Sequence, residues 1–228
     1  MIKAVLFDLD NTLIDFMGMK LKSVDAALAA MLAAGVKLKK REASKILYDM
    51  YWKLGIEYQQ IFQKFLKSVM GRVDYRILAA GIVAYRRTQT DILSPYPDVV
   101  PTLKKLRKVG LTLAIVSDAK RLKAWLRLVE MGLQDYFDFV VCFEDTGNFK
   151  HTGLPFKKAL RLLKLNADDC LMVGDWPERD IVGAKKLGIR TIFARYGTTK
   201  KIVKSGADFE IDSVKDVAAV VGKLNSHA

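Results

Sequence analysis

A chain of 228 residues, 51% hydrophobic and 28% charged, has an ordinary globular balance and room for one large domain or a domain carrying a sizeable insertion. Its 38 Lys and Arg against 25 Asp and Glu give a net charge of +13, which favours anionic partners in general. The basic residues are scattered, with no long basic run interleaved with aromatics, so nucleic-acid binding is not expected; nor is a membrane span, because the longest uncharged apolar stretch, Ala26 to Val36, is too short.

The first apolar run, Ile2 to Phe7, reads as a strand and is followed at once by Asp8-Leu9-Asp10-Asn11-Thr12-Leu13. Ending at Asp8, this run is too short for the core of a secretory signal, and a cytoplasmic protein is expected. Two carboxylates two residues apart would sit together at the carboxyl end of that strand, where ligands bind in open α/β sheets. Clustered negative charge needs a cation or a shared proton, and a hard cation such as Mg²⁺ takes carboxylate and phosphate oxygens together. The pair therefore suggests a carboxylate nucleophile and a metal acting on a phosphate ester. Loop and cap chemistry is the plainer alternative.

From about Phe16 to Thr90 no strand is evident. Helical stripes occur instead, among them Val24, Leu28, Met31 and Leu32, and then Phe62, Phe65, Leu66 and Val69. The segment Ala26 to Ala34 is apolar nearly all round, which predicts burial on more than one side. Ser94-Pro95-Tyr96-Pro97 reads as the linker returning from this insertion.

Beyond Pro97, short apolar runs alternate with helical patterns. Val99, Leu103 and Leu106 line a helix stopped by Gly110, and Leu113 to Val116 is a strand. Ser117 and Asp118 follow it; the serine can cap a helix or hold a phosphate oxygen beside free backbone amides. A helix from Ala119 to Met131 leads to a strand from Phe139 to Phe143. Lys150, at the end of Gly147-Asn148-Phe149-Lys150, precedes a helix marked by Phe156, Leu160 and Leu163. It is either a solvated charge or a cation that binds a phosphoryl group. Leu171 to Val173 is the next strand, and Gly174-Asp175 closes it, with Asp180 five residues on. Asp175 can cap the following helix or complete the oxygen shell of a metal, supported by Asp180. That helix carries Ile181, Ala184 and Leu187 and ends at Gly188. Thr191 to Ala194 is a further strand, and Val214, Val217, Ala218 and Val221 form a last amphipathic helix. Cys142 and Cys170, each inside an apolar run, are expected to be buried free thiols.

This rhythm predicts an α/β fold: a Rossmann-like, doubly wound parallel sheet formed by residues 1–15 and 91–228, with a helical cap domain, 16–90, inserted after the first strand.

In this order the four signals, Asp8-x-Asp10-x-Thr12, Ser117, Lys150, and Gly174-Asp175 with Asp180, resemble those of the haloacid dehalogenase-like hydrolase superfamily over essentially the whole chain. The resemblance implies an aspartyl-phosphate formed on Asp8, with Asp10 as general acid and then base. It also implies Mg²⁺ held by Asp8, the backbone carbonyl of Asp10, and Asp175, and a phosphoryl group held by Thr12, Ser117, Asp118 and Lys150. Dehalogenases of the superfamily lack an Asp at the position of Asp10, so a phosphatase is implied. Two- or three-carbon phosphates such as phosphoglycolate or glyceraldehyde 3-phosphate are candidate substrates. A phosphomutase, or a phosphometabolite-binding protein without turnover, is the alternative. The partner expected is a small phosphorylated metabolite, acting on a monomer or homodimer.

Two positions depart from the family pattern. Asp118 stands where Asn is commoner, and a carboxylate near phosphate requires a compensating cation or orientation. His151 replaces the usual Pro after the lysine and is expected at the surface. Lys20, Tyr51, Tyr58 and Arg86 are candidate cap positions for substrate choice, indistinguishable in sequence from core or surface residues.

Overall fold

A computed structural model describes residues 1–198 and 201–226. The described residues form two compact units, one comprising Met1–Phe16 with Leu93–Ala228 and the other Met17–Ile92.

The larger unit is built on six parallel strands: β1 (Ala4–Phe7), β2 (Thr112–Val116), β3 (Phe139–Val141), β4 (Cys170–Gly174), β5 (Arg190–Ala194) and β6 (Phe209–Ile211). Their spatial order is β3-β2-β1-β4-β5-β6, so strand order reverses at β1. Ala4 pairs with Thr112 on one side and Cys170 on the other, and Phe7 with Ile115 and Val173. Every residue of β1 is buried, as is every residue of β4. A sheet covered on both faces has no exposed side to alternate with, which is why these strands read as continuous apolar runs. One face packs Ala4, Leu6, Ala114, Val116 and Met172 against Phe156, Ala159 and Ala184 of two helices, α7 (Leu154–Leu163) and α8 (Val182–Lys185). Helices α5 (Val99–Lys108), α6 (Arg121–Glu130) and α9 (Val217–Ser226) complete the unit, burying Val99, Leu103, Leu106, Ala124, Leu128, Val217 and Val221.

Several boundaries differ from the sequence expectation. The third strand ends at Val141, because the chain turns into a 3-10 helix at Phe143–Asp145, where the Asp145 carboxylate accepts from the Cys142 amide at 2.8 Å. The helix expected around Ile181 is preceded by a π-helical turn, Pro177–Ile181, and α8 itself is four residues long. The last helix begins as a 3-10 turn at Val214–Asp216. β6 was not anticipated: it is three residues long, with Glu210 exposed, too short to show a pattern.

The smaller unit contains only helices: α1 (Phe16–Ala33, its first residue belonging to the larger unit), α2 (Lys40–Leu54), α3 (Ile61–Met70) and α4 (Tyr75–Ile92). Its core gathers Val24, Leu28, Met31, Leu47, Tyr51, Phe62, Phe65, Leu66, Ile77 and Leu78. The nearly all-apolar stretch of α1 is not buried all round, since Ala29 and Ala33 are exposed. Alanine bears little apolar surface, so a helix tolerates it facing water. The Lys20 amine lies within this unit, 5.1 Å from the Tyr51 ring centre and donating to the Tyr85 hydroxyl at 3.1 Å. No described helix is long and apolar enough to cross a membrane.

Candidate active site

Asp8 and Asp10 leave the carboxyl end of β1, Ser117 and Asp118 that of β2, and Asp175 that of β4, so three adjacent strand ends supply the polar residues around the reversal of strand order. Such a crevice is the general ligand position in open parallel sheets. The chain tightens after Asp10 through Asn11, whose φ of 60° lies in the left-handed region that a short amide side chain tolerates. Gly197 then passes so close that a Cβ there would stand 2.9 Å from the Asp175 Cβ and overlap the Asn11 carbonyl oxygen. Only glycine admits that approach.

Lys150 links the acids. It is 2% exposed, and its ammonium lies 2.6 Å from Asp8 Oδ1 and 2.5 Å from Asp180 Oδ1. Asp180, fully buried, also accepts from the Trp176 amide at 2.9 Å. Burial opposes the charge on Lys150, but Asp180 first, then Asp8 and Asp118, hold it protonated and above the ordinary lysine range. The backbone of Lys150 is fixed as well: its carbonyl lies so near Gly183 that a Cβ there would approach to 2.1 Å.

Asp8, Asp175 and Asp180 each offer a carboxylate oxygen within 4.8 Å of the others. Burial, then the charges of Asp8 and Asp180, push the Asp175 carboxyl up to about 8. Three acids thus face one ammonium, an imbalance that a divalent cation would correct, and an all-oxygen donor set suits a hard one. Lys150 and the Trp176 amide engage both oxygens of Asp180, whereas Lys150 meets Asp8 through Oδ1, so Asp8 and Asp175 are the side chains that would hold the cation directly. The Thr12 hydroxyl is buried and donates to Asp175 at 3.5 Å, a long contact.

Ser117 is buried, and its oxygen accepts from the Ala119 amide at 3.1 Å, the local turn that precedes α6. Asp118 has both carboxylate oxygens occupied: Oδ1 accepts from the Lys150 amide at 2.8 Å, and Oδ2 pairs with Arg179 at 3.0 Å. Asp118 thus braces the lysine loop, and its charge is met by a cation. Arg179 in turn lies 4.1 Å from the Trp176 ring centre and 5.3 Å from that of Phe149. His151 is exposed, beside Phe149.

Three further residues belong to this region without a motif to mark them. Arg179 had no signal beyond its closeness to Asp175. Tyr196 donates to the Thr12 carbonyl at 2.7 Å, from a 3-10 turn, Arg195–Gly197, too short to carry a pattern. Arg127 was legible in principle, as a basic residue on the buried side of a helix that also carries Ala124 and Leu128. Its guanidinium pairs with Asp10 Oδ2 at 2.5 Å.

A model of the haloacid dehalogenase-like hydrolases matches residues 2–188. A glyceraldehyde 3-phosphate phosphatase of Methanocaldococcus jannaschii is 32% identical over 225 residues, covering 98% of this chain and 99% of that protein. A pyrophosphatase PpaX of Bacillus cereus is 29% identical over 171 residues, 70% of this chain and 76% of that one. Among solved structures, a phosphatase of the same family from Thermococcus onnurineus superposes with a TM-score of 0.71 at 24% identity, covering 97% of this chain and 98% of its own.

Proposed function

This chain belongs to the haloacid dehalogenase-like hydrolase family, and on that premise we propose that it is a Mg²⁺-dependent phosphoric monoester hydrolase of small phosphorylated metabolites, working through an aspartyl-phosphate on Asp8. The observation that carries the reading is the buried Lys150 ammonium, in contact with Asp8 and Asp180. Phosphoryl transfer requires alignment and charge neutralisation above all, and this arrangement provides both.

Asp8 Oδ attacks phosphorus as the bond to the ester oxygen breaks, and Asp10 gives that oxygen its proton. Ser117 and Lys150 bind the non-bridging oxygens, with the ammonium already placed at 2.6 Å from the nucleophile. In the second half, Asp10 takes a proton from water, whose oxygen attacks phosphorus and returns Asp8 as inorganic phosphate leaves. Dividing the hydrolysis this way replaces one difficult displacement by two easier ones. Asp8, Asp175 and the Asp10 carbonyl would hold the Mg²⁺, which supplies charge neutralisation between nucleophile and phosphoryl oxygens when bound. Asp180 acts through Lys150, holding it in position.

Glyceraldehyde 3-phosphate is the favoured substrate, supported by the relative of that name aligning over nearly its full length with this chain. Phosphate release with Mg²⁺ from glyceraldehyde 3-phosphate, phosphoglycolate and pyrophosphate tests this. The highest kcat/KM should fall on glyceraldehyde 3-phosphate. A preference for pyrophosphate would replace the ester by an anhydride, and no turnover of any of them would overturn the reading.

A further inference from the structure

We infer that Arg127 is a positioning residue for Asp10, orienting the acid that delivers a proton to the leaving oxygen; this rests on the roles proposed above for Asp8 and Asp10. Arg127 is buried on α6, and its Nη1 lies 2.5 Å from Asp10 Oδ2. The guanidinium carbon sits 4.3 Å from the centre of the Phe16 ring, so the group is held against an aromatic face as well as by the ion pair. A buried arginine is rare unless it is paired, and nothing in the packing of a surface helix calls for one. It pairs with the second acid of the site.

The pair has a consequence for transfer. Before the step, Asp10 carries the proton; as the phosphorus–oxygen bond breaks, the proton passes to the ester oxygen and the carboxylate is left behind. A guanidinium interacts more strongly with that carboxylate than with the neutral acid. The contact therefore strengthens along the step, and interactions that do so accelerate it. The same contact through Oδ2 limits the rotation of the carboxyl group, which fixes the direction of its other oxygen.

The test separates this role from a structural one by the leaving group. An alkyl phosphate needs a proton on its departing oxygen, while p-nitrophenolate departs without one. Arg127→Met should lower kcat/KM for glyceraldehyde 3-phosphate by about 10- to 100-fold, and for p-nitrophenyl phosphate by no more than about threefold, a positioned acid being worth about 10²- to 10⁴-fold in total. Arg127→Lys keeps the charge but not the planar fork, and should show the same substrate contrast with a smaller loss; it also carries the test if the methionine variant does not fold. In an Asp10→Asn background, Arg127→Met should cause no further loss, because residues acting as a unit are non-additive. Equal losses on both substrates in folded variants, or a further loss on top of Asp10→Asn, would overturn the inference. If Asp10→Asn itself shows no leaving-group contrast, the role given to Asp10 fails instead.

Discussion

Replacing Lys150 by methionine removes one ammonium from among Asp8 and Asp180 while keeping most of the side-chain volume. Both contacts are short, 2.6 and 2.5 Å, and the amine is buried, so solvent cannot take its place. Breaking a buried ion pair by removing one partner costs about 3–5 kcal/mol, because the remaining charge is left unpaired. For a protein of this size each kcal/mol shifts Tm by about 2–4 °C, so the variant should melt about 6–20 °C lower in chelator. Added Mg²⁺ should recover part of that loss, since it supplies positive charge to the same carboxylates. Turnover should fall at least about a hundredfold, as expected for loss of a preorganised charge at the reacting centre. Lys157→Met, at an exposed position of α7, should stay within about 0.5 kcal/mol of the parent. Thermal melts with and without Mg²⁺, together with phosphate release, measure all of this. Equal melting and equal turnover for the two variants would refute the account of Lys150.

Three further outcomes are expected. Chelation should abolish phosphate release, and Mg²⁺ but not equimolar Ca²⁺ should restore it, because the larger ion recruits extra oxygens and misplaces the nucleophile; activity in chelator would count against the metal. Gly183→Ala places a Cβ 2.1 Å from the Lys150 carbonyl oxygen, so the lysine loop must shift; about 1–3 kcal/mol of stability, by urea titration, and most activity should be lost. Parent-like stability and turnover would show that the loop gives way freely. Burial raises the Cys142 thiol to about 11 and the Cys170 thiol to about 12, so at pH 8 both should resist a thiol reagent in the native protein and react on denaturation. Rapid native labelling of either would contradict its burial.

What the sequence disclosed follows from how the sheet is covered. β1 and β4 are buried on both faces, so each appears as an apolar run ended by its first functional carboxylate, and strand and chemistry are read together. β6 lacks that signature because three residues with one exposed acid carry no run. The turn Pro177–Ile181 was hidden for another reason: its shape depends on Asp180 accepting from the Trp176 amide, a contact that spacing does not reveal. Asp118 could be recognised as anomalous but not understood, since its partners, the Lys150 amide and Arg179, lie 32 and 61 residues away. Arg127 is similar. Among several basic residues on α6 it differs only in facing inward, and its partner is 117 residues distant in the chain.

The central claim is that the phosphoryl group passes through Asp8. Glyceraldehyde 3-phosphate and Mg²⁺ mixed with stoichiometric enzyme, quenched in acid before one turnover is complete and digested, should yield an acyl phosphate on the peptide containing Asp8. Asp8→Asn should yield none and release no phosphate, because the amide is a poor nucleophile of nearly the same volume. Phosphate release at more than a few per cent of the parent rate from Asp8→Asn, or turnover without any acyl phosphate at Asp8, would contradict the account.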